Sequence, residues 1–147
     1  MEICMDGDTS NKRKIIQSLR ANVDLACQIA EEFTKLYYKY IDKQRNIISR
    51  MYMDNAILMW NGNGVAGKDN IQTFWTDLPS SEHTIYTLDA QPIIRPDDGQ
   101  LTILIKVSGQ VRYKESCKMF NQTFLITAAD DKWKIVIDCF RTVDLPQ

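Results

Sequence analysis

From residue 82 to residue 143 the chain carries four long stretches of strand character, at 82–94, 101–113, 118–128 and 133–143. Only the short turn clusters Asp97-Asp98-Gly99, Lys114-Glu115-Ser116 and Asp130-Asp131 separate them. Long strands joined by tight turns pair with their sequence neighbours, so this region predicts an antiparallel meander. The stretch 101–113 alternates: Leu101, Ile103, Ile105, Val107, Val111 and Tyr113 share one face, and Thr102, Leu104, Lys106, Ser108, Gln110 and Arg112 the other. One apolar face is what a sheet packed on helices requires. Pro92 marks the stretch 82–94 as bent or at an edge, because proline cannot donate to a central ladder.

The helices come first. Ala26, Ile29, Ala30, Phe33, Leu36, Tyr37, Tyr40 and Ile41 recur at spacings of three and four and predict an amphipathic helix over 16–42. A shorter helix is expected over 45–53, broken by Asp54-Asn55. Ala56 to Trp60 reads as a strand running into a hairpin turn at Asn61-Gly62-Asn63-Gly64, where Asn-Gly accepts positive φ at low cost. A third helix opens at Gly67, is capped by Asp69 or Asn70, and stops before Pro79. Residues 1–14 read as a flexible polar tail and 15–147 as a single domain. Asn11-Lys12-Arg13-Lys14 is too short a basic run for a localisation signal and reads as solvated.

Helices followed by long strands define an α+β domain in which one curved sheet wraps three helices. The last strand adds a complication. In strict alternation Trp133, Ile135, Ile137, Cys139 and Arg141 point one way, and Lys132, Lys134, Val136, Asp138 and Phe140 the other. Apolar residues then lie on both sides. Either a β-bulge moves residues between environments, or the sheet face the helices leave uncovered meets a protein partner.

Composition excludes several functions. Lys and Arg number 18 and Asp and Glu 19, so no global basic field draws the chain onto nucleic acid. The four cysteines, Cys4, Cys27, Cys117 and Cys139, form no C-x-x-C pair, and His83 is the only histidine, so no metal site is expected. Scattered single cysteines fit a reducing compartment, with Cys27 and Cys139 read as small buried hydrophobes. The N-terminus lacks the apolar region of a signal peptide, and no segment is apolar enough to span a membrane, so a soluble intracellular chain is expected.

The motifs Trp60-x-Gly62, Leu78-Pro79, Gly109-Gln110, Phe120-x-Gln122-x-Phe124-Leu125 and Asp138-x-Phe140-Arg141, in this order, resemble the nuclear transport factor 2-like family. Trp60-Asn61-Gly62-Asn63, Leu78-Pro79-Ser80-Ser81-Glu82, Phe120-Asn121-Gln122 and Asp138-Cys139-Phe140-Arg141 look like its small export-protein branch. The resemblance runs from about Val23 to Val143. It implies a cone of three helices on a strongly curved antiparallel sheet. It also implies a non-catalytic adaptor that pairs, sheet face to sheet face, with a homologous domain of the large nuclear mRNA export receptor. Such a chain shuttles between nucleus and cytoplasm and meets the nuclear envelope at pores, where nucleoporin Phe-Gly repeats bind chiefly to the large partner. Matching the motifs puts Arg141, Cys139, Lys106, Ser108, Gln110 and Leu104 on the partner-facing side, with Arg141 answering a partner carboxylate. Ran binding is not implied, because Asn61, Lys114 and Ser116 stand where the Ran-binding branch has acids. Neither sequence-specific nucleic-acid binding nor membrane association is implied.

The same fold class also holds isomerases and dehydratases, whose cone encloses a Tyr, a carboxylate or an Asp-His pair. The candidates here are Tyr37, Tyr40, Asp138 and His83. Tyr37 and Tyr40 lie on the core stripe of a helix, and His83 follows a loop and reads as a surface residue. No nucleophile elbow, zinc-binding helix or phosphate loop occurs, so no catalytic residue and no cofactor are expected. A buried Asp facing Tyr37 across an open polar pocket would indicate an enzyme; a cone plugged by aromatic side chains would indicate the adaptor.

Overall fold

The structure, a computed structural model, describes residues 5–94, 97 and 100–143. Cys4, and Asp98 and Gly99 of the expected turn, lie outside them. In chain order the elements are α1 (Met5–Lys43), a 3-10 helix (Arg45–Met51), β1 (Tyr52–Trp60), β2 (Asn63–Ala66), α2 (Lys68–Asp77), β3 (Glu82–Ile94), β4 (Leu101–Arg112), β5 (Cys117–Ala129) and β6 (Lys132–Val143). The four long strands fall within a residue or two of the expected ranges. Helix α1 differs: it begins at Met5 rather than near Ile16, so residues 5–14 of the expected flexible tail are helical. After Gly7 no glycine or proline interrupts it before Lys43, so no residue in that span breaks the helix.

The six strands form one sheet in the order β2-β1-β6-β5-β4-β3. β3 through β6 are the antiparallel meander, but β6 pairs with β1 in parallel, so the sheet is mixed rather than wholly antiparallel. The chain reaches β6 from the far edge of the sheet, strand by strand, and no hairpin ties it to β1. Its direction beside β1 is therefore set by the number of strands in the meander. Pro92 sits in β3, which is an edge strand.

Irregularities in the ladders curl the sheet around the helices. Tyr86 is an extra residue in β3, between the pairs Ile85–Gly109 and Thr87–Ser108. Val136 is an extra residue in β6, between Leu125–Ile137 and Ile126–Ile135. Bulges of this kind increase local twist and bend the strand. Gly109 permits the first: a Cβ there would overlap the Thr84 carbonyl and crowd the Phe120 ring. The turn at Asn61-Gly62 has both φ values positive (49° and 85°), as a two-residue hairpin requires. Helix α2 is preceded by Gly67 (φ 88°) with no side-chain cap, so neither Asp69 nor Asn70 caps it.

Inside the cone, Phe33, Tyr37, Tyr38 and Ile41 of α1 meet Phe120, Phe124, Ile126, Ile135 and Phe140 from the concave side of the sheet. Aromatic rings fill the interior edge to face and stacked; Phe124 lies 4.7 Å from Tyr37 and 5.7 Å from Phe33. Leu36, expected in the core stripe, is exposed, and Tyr38 takes the inward position instead. No helix among the described residues is long and apolar enough to cross a membrane.

Candidate functional site

The outer face of the sheet has no helix over it, and the strand registers decide which residues share it. Met59 pairs with Cys139, Cys139 with Thr123, Thr123 with Lys106, and Lys106 with Asp89. One row is thus Met59–Cys139–Thr123–Lys106–Asp89. The row on one side is Ile57–Ile137–Leu125–Leu104–Gln91, and on the other Arg141–Asn121–Ser108–Thr87. Gln110 pairs with Met119 and Thr84 one row further on. Arg141, Cys139, Lys106, Ser108, Gln110 and Leu104 therefore lie on one continuous surface of five strands.

The bulge at Val136 resolves the two-sided pattern of β6. On its C-terminal side Asp138 and Phe140 face the core and Ile137, Cys139 and Arg141 face outward. On its N-terminal side the phase has slipped, so Ile135 is fully buried and Trp133 packs against the core. The expectation that Trp133 and Ile135 share a face with Cys139 is corrected accordingly. Cys139 and Cys27, expected to be buried, are both exposed. In each case the helical or strand period places the cysteine on the outer side of its element, and an isolated apolar-looking residue carries no signal against that.

The outer face keeps a large apolar share. Ile57 is 44% exposed, Met59 37% and Ile137 41%, and half-buried Leu125 and Leu104 continue the row past Ile137. Five aliphatic or thioether side chains contiguous on an open sheet make an area that in soluble monomers is normally covered. Charged and amide groups, Lys106, Arg141, Asn121 and Gln110, flank this strip, which is the layout of an apolar interface centre with a polar rim. No carboxylate lies within ion-pair distance of Arg141 among the described residues.

The interior gives the opposite result. Asp138 is fully buried and every oxygen is taken: Oδ2 accepts from the Tyr37 hydroxyl (2.8 Å) and the Tyr52 hydroxyl (2.6 Å), and Oδ1 from the Gln122 amide (2.8 Å). The network continues outward. Gln122 also donates to the Tyr37 hydroxyl (3.0 Å) and accepts from Tyr38 (2.6 Å), and the Trp75 indole donates to Tyr52 (3.1 Å). Burial raises the Asp138 carboxyl to about 6, against the hydrogen bonds from Gln122, Tyr52 and Tyr37, which favour the charged form. Burial, and then the nearby carboxylate, push the Tyr37 and Tyr52 phenols well above their usual range, so they stay donors. A buried carboxylate with all its partners satisfied by packed side chains ties α1, β1, α2, β5 and β6 together. It does not face an open pocket.

This arrangement fixes a pH dependence. The folded-state value lies above the ordinary aspartate value, so the contribution of Asp138 to stability is fully present below about pH 4 and lost as pH rises to about 6. Across that window the loss amounts to about 3 kcal/mol. Urea unfolding at pH 4.5 to 7 is expected to show a fall in stability with rising pH that Asp138→Asn lacks; parallel curves for the two proteins would contradict it.

His83 is not a surface residue. Its side chain is 3% exposed, its Nδ1 lies 2.7 Å from Asp42 Oδ1, and its ring packs against Tyr38, Phe120 and Phe140. Asp42 also accepts from the His83 backbone N–H (2.8 Å) and the Ser81 hydroxyl (2.9 Å). Burial works to raise the Asp42 carboxyl, but the contacts with His83 and Ser81 outweigh it and hold it below the usual range. The group pins the end of α1 to the start of β3. Asp42 and His83 are 41 residues apart, and nothing in either local sequence announces the pair.

A curved six-stranded sheet with helices in its concavity is the nuclear transport factor 2-like architecture, and the nuclear transport factor 2 (NTF2) domain matches residues 29–142. The chain belongs to that family. It is 44% identical over 128 residues to human NTF2-related export protein 2, covering 83% of this chain and 90% of that protein. It is 34% identical over 134 residues to the Caenorhabditis elegans NTF2-related export protein, covering 89% and 98%. Among solved structures, the C. albicans Mtr2–Mex67 M domain complex contains a chain that superposes with a TM-score of 0.67 at 15% identity, covering 83% of this chain and 98% of that one.

Proposed function

We propose that this chain is the small, non-catalytic subunit of an mRNA export heterodimer. It pairs through the outer face of its sheet with a homologous domain of a large export receptor. The observation that carries this reading is the continuous apolar strip Ile57–Met59–Ile137–Leu125–Leu104, rimmed by Arg141, Lys106, Ser108 and Gln110 and covered by no element among the described residues. The export-protein relatives, and a structural neighbour solved as a complex, support it. Cys139 lies beside Met59 at the centre of the strip, and Arg141 stands one row away as a cation suited to bidentate pairing with a partner carboxylate. The heterodimer shuttles between nucleus and cytoplasm and meets nucleoporin Phe-Gly repeats mainly through the large subunit.

The second reading is a cavity enzyme of the same fold, an isomerase or dehydratase. It would require Asp138, Tyr37 or the Asp42–His83 pair to reach a substrate; Asp138 and Tyr37 are held by packed side chains with almost no exposed surface, and the His83 ring, 3% exposed, is packed against Tyr38, Phe120 and Phe140. Co-expression with the receptor's homologous domain tests the adaptor reading: a stable one-to-one complex is expected, and a chain that remains alone would contradict it.

The rim chemistry also predicts what does not bind. Asn61 is occupied, its Oδ1 accepting from the Thr142 N–H (2.8 Å), while Lys114 and Ser116 are exposed and carry no negative charge. Glu115, exposed in the same turn, is flanked by Lys114, which offsets its charge toward a basic partner. A titration with GDP-loaded Ran at moderate salt is therefore expected to give no saturable signal; micromolar binding lost on mutating this rim would overturn the assignment.

A further inference from the structure

Arg50 and Lys132 stand at the rim of a pocket that pairing through the outer sheet face leaves unused. It lies between α1, the 3-10 helix and the start of β6, and encloses about 430 Å³, within the range of ligand sites. Phe33 and Met51, both buried, and half-buried Trp133 form its wall. These side chains belong to the helix-covered side of the sheet, opposite Cys139 and Arg141, so a partner on the outer face does not obstruct them.

The charges around the pocket are unequal. Glu32 is the acid in its lining, against Arg50 and Lys132, and Asp130 and Asp131 of the adjoining turn do not line it. Among the described residues neither Arg50 nor Lys132 has a carboxylate within ion-pair distance. Two cations against one acid, beside an aromatic wall, select a ligand with an apolar body and an anionic group next to it. The pocket is open along one side, and Leu36, 42% exposed, lines that opening. A chain lying along the open side can cover Leu36 and bring an apolar side chain to the wall and a neighbouring carboxylate to the two cations at once.

We infer that this pocket docks a short polypeptide segment of a further partner. The segment places an apolar side chain of Leu to Trp size against Phe33, Met51 and Trp133, and a neighbouring carboxylate on Arg50 and Lys132. Glu32, on the α1 side, repels an acid placed there and so fixes the direction in which the segment lies. The site would let the chain hold the export receptor on its outer face and a second protein on its helix side at the same time.

The test uses the full isotope-labelled chain and capped hexapeptides carrying Leu, Phe or Trp followed within two residues by Asp. Matched peptides carry Lys for Asp or Ala for the apolar anchor, and laurate serves as a free amphiphile. The Asp peptides are expected to shift the Trp133 indole and the Phe33 and Met51 amides saturably, with the Lys and Ala peptides weaker by about tenfold or more. The double variant Arg50→Glu, Lys132→Glu should lose about tenfold or more in affinity while keeping its circular dichroism and its receptor pairing, since both side chains are exposed and lie away from the outer face. Equal binding of Asp and Lys peptides, unchanged affinity in the double variant, or binding of laurate without any peptide would each overturn the inference. None of these results bears on pairing through the sheet face.

Discussion

Cys139→Glu is expected to leave the fold standing and to abolish stable pairing with the export receptor. In the free chain the thiol is exposed on the outer face, between Met59 and Thr123 in register, so a carboxylate there meets water and costs little. Within a sheet-to-sheet contact the same carboxylate is buried against Met59 and Ile137, and pairing it with Arg141 two residues along would take that cation from the partner's acid. An uncompensated buried charge costs about 3–5 kcal/mol, which corresponds to a loss of affinity of roughly a hundred- to several-thousand-fold. Cys139→Ser, of similar size and uncharged, should retain most of the affinity. Calorimetric titration against the receptor domain, alongside thermal unfolding of the free variants, separates the two effects. A Cys139→Glu protein that unfolds like wild type and binds like wild type would place the interface elsewhere.

Arg141→Ala is expected to cost about 2–5 kcal/mol of binding, chiefly through faster dissociation, because truncation strands the partner's acid in a desolvated contact. Arg141→Asp should be worse, since two carboxylates then face one another. Arg141 is exposed and lies next to Asn121 and Ser108 in its row, with no acid among the described residues within ion-pair distance, so neither substitution should disturb the monomer. Changing the partner's acid to Lys or Arg should recover part of the loss in a double-mutant cycle. An arginine that is merely solvated would cost at most about 1 kcal/mol and show no rescue.

Much of this interface is legible in the sequence because β4 alternates without a break. Once Ile103, Ile105 and Val107 are assigned to the core, Leu104, Lys106 and Ser108 can only face outward. The hairpin turns fix the registers that carry this assignment to β5 and the C-terminal half of β6. Other features leave no local trace. The parallel pairing of β1 with β6 joins segments about 80 residues apart with no turn between them to reveal it. The bulge at Val136 is a matter of ladder geometry, and Trp133, Ile135 and Ile137 form the same alternating pattern with or without it. The buried Asp138 network is half visible. Tyr37 lies on the helix stripe and Asp138 alternates with Phe140, but the contributions of Tyr52, Trp75 and Gln122 depend on how the sheet curls. Periodicity places the start of α1 too late because its polar N-terminal stretch carries no apolar period, and Asp6, Gly7, Asp8, Thr9, Ser10 and Asn11 have weak intrinsic helix propensity as well.

The most direct test of an adaptor that works through its sheet face is affinity capture of the full-length chain from nuclear extract, wild type beside Cys139→Glu, with the bound proteins identified by mass spectrometry. Wild type is expected to retain the large mRNA export receptor in near-equimolar amount and Cys139→Glu to retain almost none. Absence of the receptor from the wild-type capture, or equal recovery by both proteins, would contradict the account.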